Sequence, residues 1–414
     1  MVKQNKFRHI YTMNKIRMKI NTILILLTLI VFTLPSCGQD KKPILIEYNE
    51  VTSGAAQIDS YLHLLKDKRI AIVANQTSLL GSTHLVDTLS NLNLNISKIF
   101  CPEHGFRGKA DAGSLITDGV DNKTGIPIIS LYGSHKKPTV DDLKDIEIVL
   151  FDLQDVGTRF YTYISTMTYV MEACAENGIP IIILDRPNPN GYFVDGPILK
   201  EKHKSFVGLH PIPVVYGMTI GEYARMVAGE KWINKASEID LSVIELKSYN
   251  HNMIVKLQVK PSPNLPNWQS VYLYPSLCFF EGTVMSIGRG TDFPFQVFGH
   301  PKYMIGSFVF KPDSTSGSAN PKFKNENCFG ANLDGYAQNY KNNKNQINLS
   351  WLLGTYEQMS HTGEFFLPYF EKLTGTDEFR KQIQSGLSEE EIRKSWKPGI
   401  DSFMKIRSKY LIYD

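Results

Sequence analysis

A carboxylate, an imidazole and a guanidinium lie within five residues of one another in the run 101–108, at Glu103, His104 and Arg107. The run follows residues 96–100, an apolar segment typical of a β-strand. Two glycines in the run permit tight turns. Ionisable groups in a loop at the end of a strand are often needed for chemistry rather than for folding. Glu103 is therefore a candidate general acid, which requires a carboxyl group kept protonated by desolvation or by a nearby negative charge.

The same run has a purely structural interpretation. Glu103 could cap a helix that begins at the glycines, and His104 could be a buried structural histidine. Adjacent side chains usually point apart, so His104 could also bind substrate or support the loop. We place Glu103 and His104 in the candidate catalytic set and Arg107 among the candidate substrate ligands.

A second dense motif spans residues 151–163. Asp155 could activate water or stabilise positive charge that develops on a sugar ring, and Gln154 precedes it as a candidate substrate ligand. Arg159 could bind a carboxylate through its planar fork, and Tyr163 could stack on a sugar face. The alternative is an ion pair between Asp155 and Arg159 that holds the start of a helix, with the tyrosines in a core.

Further polar residues follow the other predicted strands or lie in a glycine-rich loop of the second half. A proline-rich loop after one strand suits either a rigid turn or a preorganised site. The remaining candidate substrate-binding residues are Asn75, Gln76, Asp185, Arg186, Asn188, Glu281 and Arg289.

Short apolar runs alternate with helical stretches between residues 54 and 229. A helix is predicted over residues 161–177, ending at Gly178. Continuous apolar strands separated by helices predict an α/β fold with a mostly parallel sheet covered on both faces. Ligands of such sheets bind beyond the carboxyl ends of the strands, where the candidate residues lie. The predicted strands are residues 69–74, 96–100, 126–131, 146–153 and 179–184.

The N-terminus has the features of an export signal. Basic residues precede an apolar stretch at 23–34, which is too short to span a bilayer, and residues 34–38 resemble a bacterial lipobox with Cys37 as the lipidated residue. A plain secretory signal with an incidental cysteine is the alternative. The predicted organisation is a lipoprotein signal peptide at 1–36, a tether at 37–53, a catalytic domain at 54–235 and a C-terminal domain at 236–414.

Charge and cysteine usage exclude several classes of function. Six of the 45 Lys and Arg residues precede Cys37 and no acidic residue does, which leaves 39 basic against 41 acidic residues in the mature chain. The net charge of the mature chain therefore gives no support for nucleic-acid binding. The later cysteines are widely spaced, which argues against a disulfide scaffold and against a zinc site. We expect no cofactor and no metal.

Five motifs occur in order and together resemble one family: residues 102–108, 152–163, 185–189, 281–291 and 407–413. The set resembles the peptidoglycan exo-β-N-acetylmuramidase family typified by NamZ, glycoside hydrolase family 171. The resemblance implies a Rossmann-like catalytic domain, a smaller C-terminal α/β domain and an active site between them. It also implies release of terminal N-acetylmuramic acid from the non-reducing end of peptidoglycan fragments, and its catalytic glutamate falls on Glu103.

The implied substrate adds two requirements. Its lactyl carboxylate needs a cation, for which Arg107, Arg159 and Arg289 are available. Cleavage needs a second participant beside Glu103, either Asp155 as base or nucleophile or the substrate's own acetamido group.

Two other functions remain open from the sequence. The chain could be a muropeptide-binding lipoprotein without turnover, or a metal-dependent hydrolase that uses Asp152 and Asp155. The expected location is the cell envelope, lipid-anchored on the periplasmic or outer-membrane side, with peptidoglycan fragments as partners. Contact with the membrane is expected only through the lipid anchor.

Overall fold

A seven-stranded sheet forms the centre of the N-terminal half, in the order β10-β9-β8-β2-β5-β7-β6. Its neighbouring strands run parallel, except that β6 pairs antiparallel with β7 at one edge. The strands are β1 Ile44–Glu47, β2 Ile70–Ala74, β3 Leu79–Leu80, β4 Thr83–His84, β5 Ile96–Cys101, β6 Gly119–Val120, β7 Pro127–Ser130, β8 Ile148–Asp152, β9 Ile181–Leu184, β10 Leu241–Ile244, β11 Met253–Lys256, β12 Val297–His300, β13 Phe308–Phe310 and β14 Cys328–Asn332.

This computed structural model describes residues 42–103, 105–107 and 118–414. Within that range, Pro43–Asp414 pack as one compact unit. The predicted signal peptide, Cys37 and His104 lie outside the described residues. No helix in the described part of the chain has both the length and the apolar composition needed to cross a membrane.

Helices cover the sheet and build the smaller C-terminal domain. They are α1 Ile58–Leu65, α2 Leu85–Asn91, α3 Tyr163–Asn177, α4 Ile220–Gly229, α5 Trp268–Leu277, α6 Asp334–Gln338, α7 Ser350–Met359, α8 Phe370–Thr374, α9 Glu378–Gln384 and α10 Glu389–Arg407. The prediction for α3 is confirmed, because the helix ends at Gly178, whose φ of 64° is left-handed. α10 begins at a capping box formed by Ser388 and Glu391.

The central strands are apolar on both faces because both faces are covered. Every residue of β2, β8 and β9 is buried, as expected for strands between two helical layers. One hydrophobic cluster continues from this sheet into the C-terminal helices, including Phe151 on β8 and Phe370 on α8. The two parts therefore share a core, which sets the sheet's carboxyl edge rigidly against the C-terminal domain.

Three segments differ from the sequence-based expectation. β10 pairs with β9, so the main sheet extends past the predicted boundary at residue 235. β1 lies in the predicted tether and pairs in parallel with β11. β14 lies between β12 and β13 in a separate three-stranded sheet, whose strands are not among those predicted. Each pairing joins segments far apart in sequence, which local periodicity does not reveal.

Candidate active site

Glu103 follows β5 at the carboxyl edge of the sheet, as predicted. The Tyr132 hydroxyl donates a hydrogen bond of 3.1 Å to its Oε1, and the Thr162 hydroxyl lies 3.5 Å from its Oε2. Tyr132 comes from the loop after β7, and Thr162 directly precedes α3. Side chains that follow β7 and β8 thus both contact this carboxyl group. Burial, together with the charge of Glu103, raises the pKa of Tyr132.

Glu103 lines a pocket with mostly aromatic walls. Its other lining residues are Phe160, Tyr161, Thr162, Tyr163, Ser262, Leu265, Tyr274, Arg289 and Phe295. The rings pack edge to face: Tyr161 lies 4.8 Å from Tyr163, and Tyr274 lies 4.8 Å from Phe295, measured between ring centroids. The pocket therefore has rigid apolar walls, a carboxyl group on the sheet side and a guanidinium from the C-terminal domain.

Arg289 is held in place by two contacts in the C-terminal domain. Its Nε donates a 2.7 Å hydrogen bond to Oε1 of Glu281, and its guanidinium lies 5.0 Å from the centre of the Phe295 ring. Burial by itself would lower the pKa of Arg289, but the neighbouring Glu281 carboxylate has the larger effect, so the pKa is raised. Arg289 lines the Glu103 pocket, whereas Glu281 binds Arg289 and does not line that pocket. Their roles as substrate ligands stay predictions.

Lys322 supports the same loop and has no recognisable sequence motif. Its Nζ lies within hydrogen-bond distance of three backbone carbonyls, those of Glu281, Thr283 and Met285. Burial lowers its pKa to about 8. Because the three carbonyls match the three donors of an ammonium group, Lys322 fixes the backbone that carries Glu281.

Tyr163 lines the pocket and is held by a polar residue after β2. The Asn75 side-chain amide donates a 2.7 Å hydrogen bond to the Tyr163 hydroxyl, and its oxygen accepts from Thr77. The Gln76 amide donates to the Pro261 carbonyl at 3.1 Å. Asn75 is fully buried, so it positions Tyr163 instead of reaching a ligand itself.

Asp155 is buried in the core and does not line the pocket. The Tyr216 hydroxyl and the Gly157 backbone N–H both donate to its Oδ2, the latter at 2.6 Å. Burial raises its pKa from 3.8 to about 6, although both hydrogen bonds act in the opposite direction. Gln154 is buried beside it and donates to the Pro187 carbonyl. We propose that Asp155 and Gln154 hold the loop after β8, and that neither touches a bound sugar.

We predict that Asp155 makes stability depend on pH. Its folded-state pKa lies above the unfolded value, so the stability gained from the protonated form is present below about pH 4 and is lost as the pH rises through about 6. Between pH 4 and 7, the free energy of unfolding of Asp155→Asn should improve relative to wild type by about 3 kcal/mol. Denaturant unfolding at several pH values measures this. Asp141→Asn, at an exposed position, is the control, and parallel pH curves for wild type and Asp155→Asn would contradict the prediction.

Arg159 is fully buried and binds backbone, which differs from its predicted role as a substrate ligand. Its Nη1 donates to the carbonyls of Pro197 and Ile212, and its Nη2 donates to those of Leu373 and Thr374. Burial lowers its pKa to about 9. Leu373 and Thr374 end α8, whose last carbonyls carry partial negative charge. Arg159 thus joins the sheet to α8, and its buried terminal nitrogens are committed to carbonyls. The alternative ion pair with Asp155 is also not formed.

The polar residues after β9 are buried like Arg159, and they join loops of the protein. Asp185 accepts hydrogen bonds from Thr219 and from Tyr413 near the C-terminus, and burial raises its pKa to about 7. Arg186 forms a buried two-point ion pair with Asp152. The Asn188 amide donates to the Met218 carbonyl. The sequence predicted that these side chains bind substrate, but their hydrogen-bonding groups are used to join loops at the sheet edge.

Arg107 turns toward a pair of aspartates. Its Nε and Nη2 donate to Asp121 at 2.8 and 2.7 Å, and Nη2 also contacts Asp87 at 3.2 Å. The Asp121 carboxylate raises the pKa of Arg107, and the guanidinium in turn holds the pKa of Asp121 at about 2. This network ties Arg107 to Asp87 and Asp121, so its side chain is engaged by carboxylates of the protein and not placed as the predicted substrate ligand. Across residues 42–103, 105–107 and 118–414, no three His, Cys, Asp or Glu side chains are grouped to hold a metal.

Two family models match nearly all of the chain beyond the predicted export signal. The model for the N-terminal part of exo-β-N-acetylmuramidase NamZ matches residues 70–269, and the model for its C-terminal part matches residues 272–413. The chain belongs to the NamZ family. The two models meet within α5, which is 34 to 37 residues later than the boundary predicted at 235, since β10 and β11 fall in the first model.

Similarity to a curated relative and to two solved structures supports membership of the NamZ family. Peptidoglycan β-N-acetylmuramidase NamZ of Bacillus subtilis strain 168 is 39% identical over 405 residues, covering 92% of this chain and 96% of that protein. Two crystal structures of DUF1343 family proteins from Bacteroides fragilis NCTC 9343 are also similar. One is 46% identical with a TM-score of 0.80, and the other is 28% identical with a TM-score of 0.73. Each match covers 88% of this chain and 99% of the solved one.

Proposed function

We propose that this NamZ-family protein hydrolyses peptidoglycan fragments at a terminal N-acetylmuramic acid, with Glu103 as the general acid. The enzyme is an exo-acting glycosidase of the β-N-acetylmuramidase type. The observation that carries the residue assignment is the pocket in which Glu103 and Arg289 meet. Glu103 can protonate the leaving oxygen, and Arg289 can bind an anion on the same sugar.

Glu103 suits the acid role because of its place at the pocket. Protonation of the glycosidic oxygen requires a carboxyl group within hydrogen-bond reach of the bond that breaks. The Tyr132 hydroxyl engages Oε1, which fixes the plane of the carboxyl group. A sugar bound between the aromatic walls would lie beside this carboxyl group, with its glycosidic oxygen within reach.

Arg289 suits the lactyl carboxylate, which distinguishes muramic acid from glucosamine. Of the three arginines considered from the sequence, Arg107 is engaged by aspartates and Arg159 is fully buried. Arg289 lines the Glu103 pocket, and Glu281 binds only its Nε. The planar fork of its terminal nitrogens matches a carboxylate, so we assign it to the lactyl group.

Turnover of two substrates tests the proposed function. The protein beginning after Cys37 should release N-acetylmuramic acid from a muramic acid–glucosamine disaccharide and from a chromogenic aryl β-N-acetylmuraminide. Binding of muropeptides without turnover of either compound would favour the non-catalytic alternative. Loss of activity in EDTA would favour a metal-dependent hydrolase.

We also propose that Cys37 carries a lipid that anchors the enzyme to the cell envelope. The lipobox-like residues 34–38 support this, and β1 begins at Ile44, only a few residues after the cysteine. We predict that Cys37→Ala shifts the protein from the membrane fraction to the soluble fraction, because a single apolar segment of signal length does not anchor a mature chain. Fractionation followed by immunoblotting measures the shift. Unchanged membrane partitioning of Cys37→Ala would remove the anchor from the proposal, and Cys101→Ala is the matched control.

A further inference from the structure

Lys322 holds a short segment of the C-terminal domain through three backbone carbonyls. Its Nζ lies 3.3 Å from the carbonyl oxygen of Glu281, 2.5 Å from that of Thr283 and 3.3 Å from that of Met285. An ammonium group has three N–H donors and no acceptor, so one lysine can serve all three carbonyls. Because these contacts use its donors, Lys322 is a support for the segment and not a ligand for a substrate anion.

The segment that Lys322 holds also orients Arg289, the residue assigned to the lactyl carboxylate. Arg289 Nε donates a 2.7 Å hydrogen bond to Oε1 of Glu281. The backbone of that glutamate is one of the three points that Lys322 binds. A shift of the Glu281 backbone would therefore move the carboxylate and, with it, the guanidinium.

Lys322 and Arg289 also meet at a small cavity. Arg289 lines this cavity and the Glu103 pocket, whereas Lys322 lines only the small cavity. A sugar bound in the Glu103 pocket would thus contact Arg289 directly and be influenced by Lys322 through Arg289. The cavity is lined by Glu281, Met285, Ser286, Ile287, Arg289 and Lys322.

The chain beside Lys322 is fixed to the chain beside Arg289 at a second place. Gly290 has a left-handed φ of 80°, and a Cβ at that position would lie 2.6 Å from Cγ of Pro321. The Asp313 backbone N–H donates a 2.8 Å hydrogen bond to the Gly290 carbonyl. Since the neighbours of both residues are in direct contact, the separation of Lys322 from Arg289 is well defined.

The direction of the Arg289 guanidinium matters because a carboxylate binds it through two parallel hydrogen bonds. Supporting contacts have to hold such a binding group within about 0.5 Å of its productive position. The Phe295 ring lies 5.0 Å from the guanidinium, but a ring contact is less directional than a hydrogen bond. The direction of the fork therefore depends mainly on Glu281 and on the backbone that Lys322 holds.

We propose that Lys322 is a positioning residue that fixes Arg289 for the lactyl carboxylate and so contributes to the binding of muraminides. This inference rests on the proposed function, because it takes Arg289 to bind the lactyl group. Lys322 does not touch the sugar and takes no part in proton transfer.

Lys322→Met tests the inference, because methionine keeps an apolar stem of similar length and removes the three donors. For the aryl β-N-acetylmuraminide, KM should rise by about fivefold while kcat stays within about twofold, the pattern of lost binding without lost chemistry. The rise should be smaller than in Arg289→Met, since the guanidinium is still present and still contacts Phe295.

A double-mutant cycle separates positioning of Arg289 from general structural support. If Lys322 acts through Arg289, adding Lys322→Met to Arg289→Met should change KM by less than about twofold, because both substitutions remove the same binding contact. An equal rise of KM in both backgrounds would overturn the inference. An unchanged KM in Lys322→Met alone would overturn it too, whereas failure of wild type to cleave the muraminide would overturn the proposed function.

Lys324→Met is the matched control. Lys324 is exposed and its Nζ donates to the Ser314 hydroxyl, so its removal should leave KM unchanged in both backgrounds. The thermal unfolding midpoint of every variant is measured beside the kinetics. If Lys322→Met does not fold, Lys322→Gln enters the same cycle: its amide can donate to two of the carbonyls, and its KM should lie between those of wild type and Arg289→Met.

Discussion

Glu103→Gln is expected to lower kcat on the muramic acid–glucosamine disaccharide by roughly 100- to 10,000-fold, the usual contribution of a general acid. Glutamine keeps the size of the side chain and can still accept the Tyr132 hydrogen bond through its amide oxygen. It cannot supply a proton to the leaving oxygen. KM should change little, because the pocket walls and Arg289 are untouched.

The leaving group makes this prediction specific to acid catalysis. An aryl muraminide with a nitrophenolate leaving group departs without full protonation, so Glu103→Gln should reduce its kcat much less than that of the disaccharide. Glu357→Gln, at an exposed position on α7, is the matched control and should be fully active. Equal losses on both substrates would contradict the acid role, and wild-type activity of Glu103→Gln on the disaccharide would remove Glu103 from catalysis.

Arg289→Met is expected to raise KM for muraminides by roughly 10- to 150-fold. A hydrogen bond to a charged group contributes about 1.5–3 kcal/mol, and each 1.4 kcal/mol corresponds to a factor of ten. The variant should also lose its preference for muraminides over the matching glucosaminide, which has no lactyl carboxylate. Arg289→Lys should recover only part of the loss, because an ammonium cannot bind a carboxylate through two parallel donors.

Folding must be separated from binding in the Arg289 variants, because Glu281 loses its partner in Arg289→Met. The thermal unfolding midpoint is measured for both variants. Arg69→Met is the control, since Arg69 also pairs with a glutamate but lies before β2, at the opposite edge of the sheet. Retained discrimination between muraminide and glucosaminide in a folded Arg289→Met would exclude Arg289 as the lactyl ligand.

The sheet was predictable because its signals are local. Strands buried on both faces need continuous apolar runs, and α3 needs a residue such as Gly178 to end it, so both appear in a single stretch of sequence. The place of Glu103 followed from the same rule, since loops after parallel strands meet at one edge. The partners of β1 and β14 were not predictable, because those pairings join distant segments.

The candidate site was likewise predictable only in part. Residue types and spacing were sufficient to place Glu103 and the polar strand ends at one edge of the sheet. Only the tertiary structure decided which of those side chains enter the cleft. Arg159 and Asp185 point into the interior and hold loops, because their neighbours provide carbonyls and hydroxyls that compensate their burial.

Residues without a motif complete the site from a distance in sequence. Tyr132 contacts Glu103 and Lys322 holds the loop that carries Glu281, although neither residue belongs to a recognisable motif. A lone tyrosine or lysine in a sequence carries no signal of what it will face. Short sequence motifs therefore predicted which chemical groups this protein has available. Whether each side chain binds substrate, takes part in catalysis or supports a loop depended on its burial, which is a property of the folded chain.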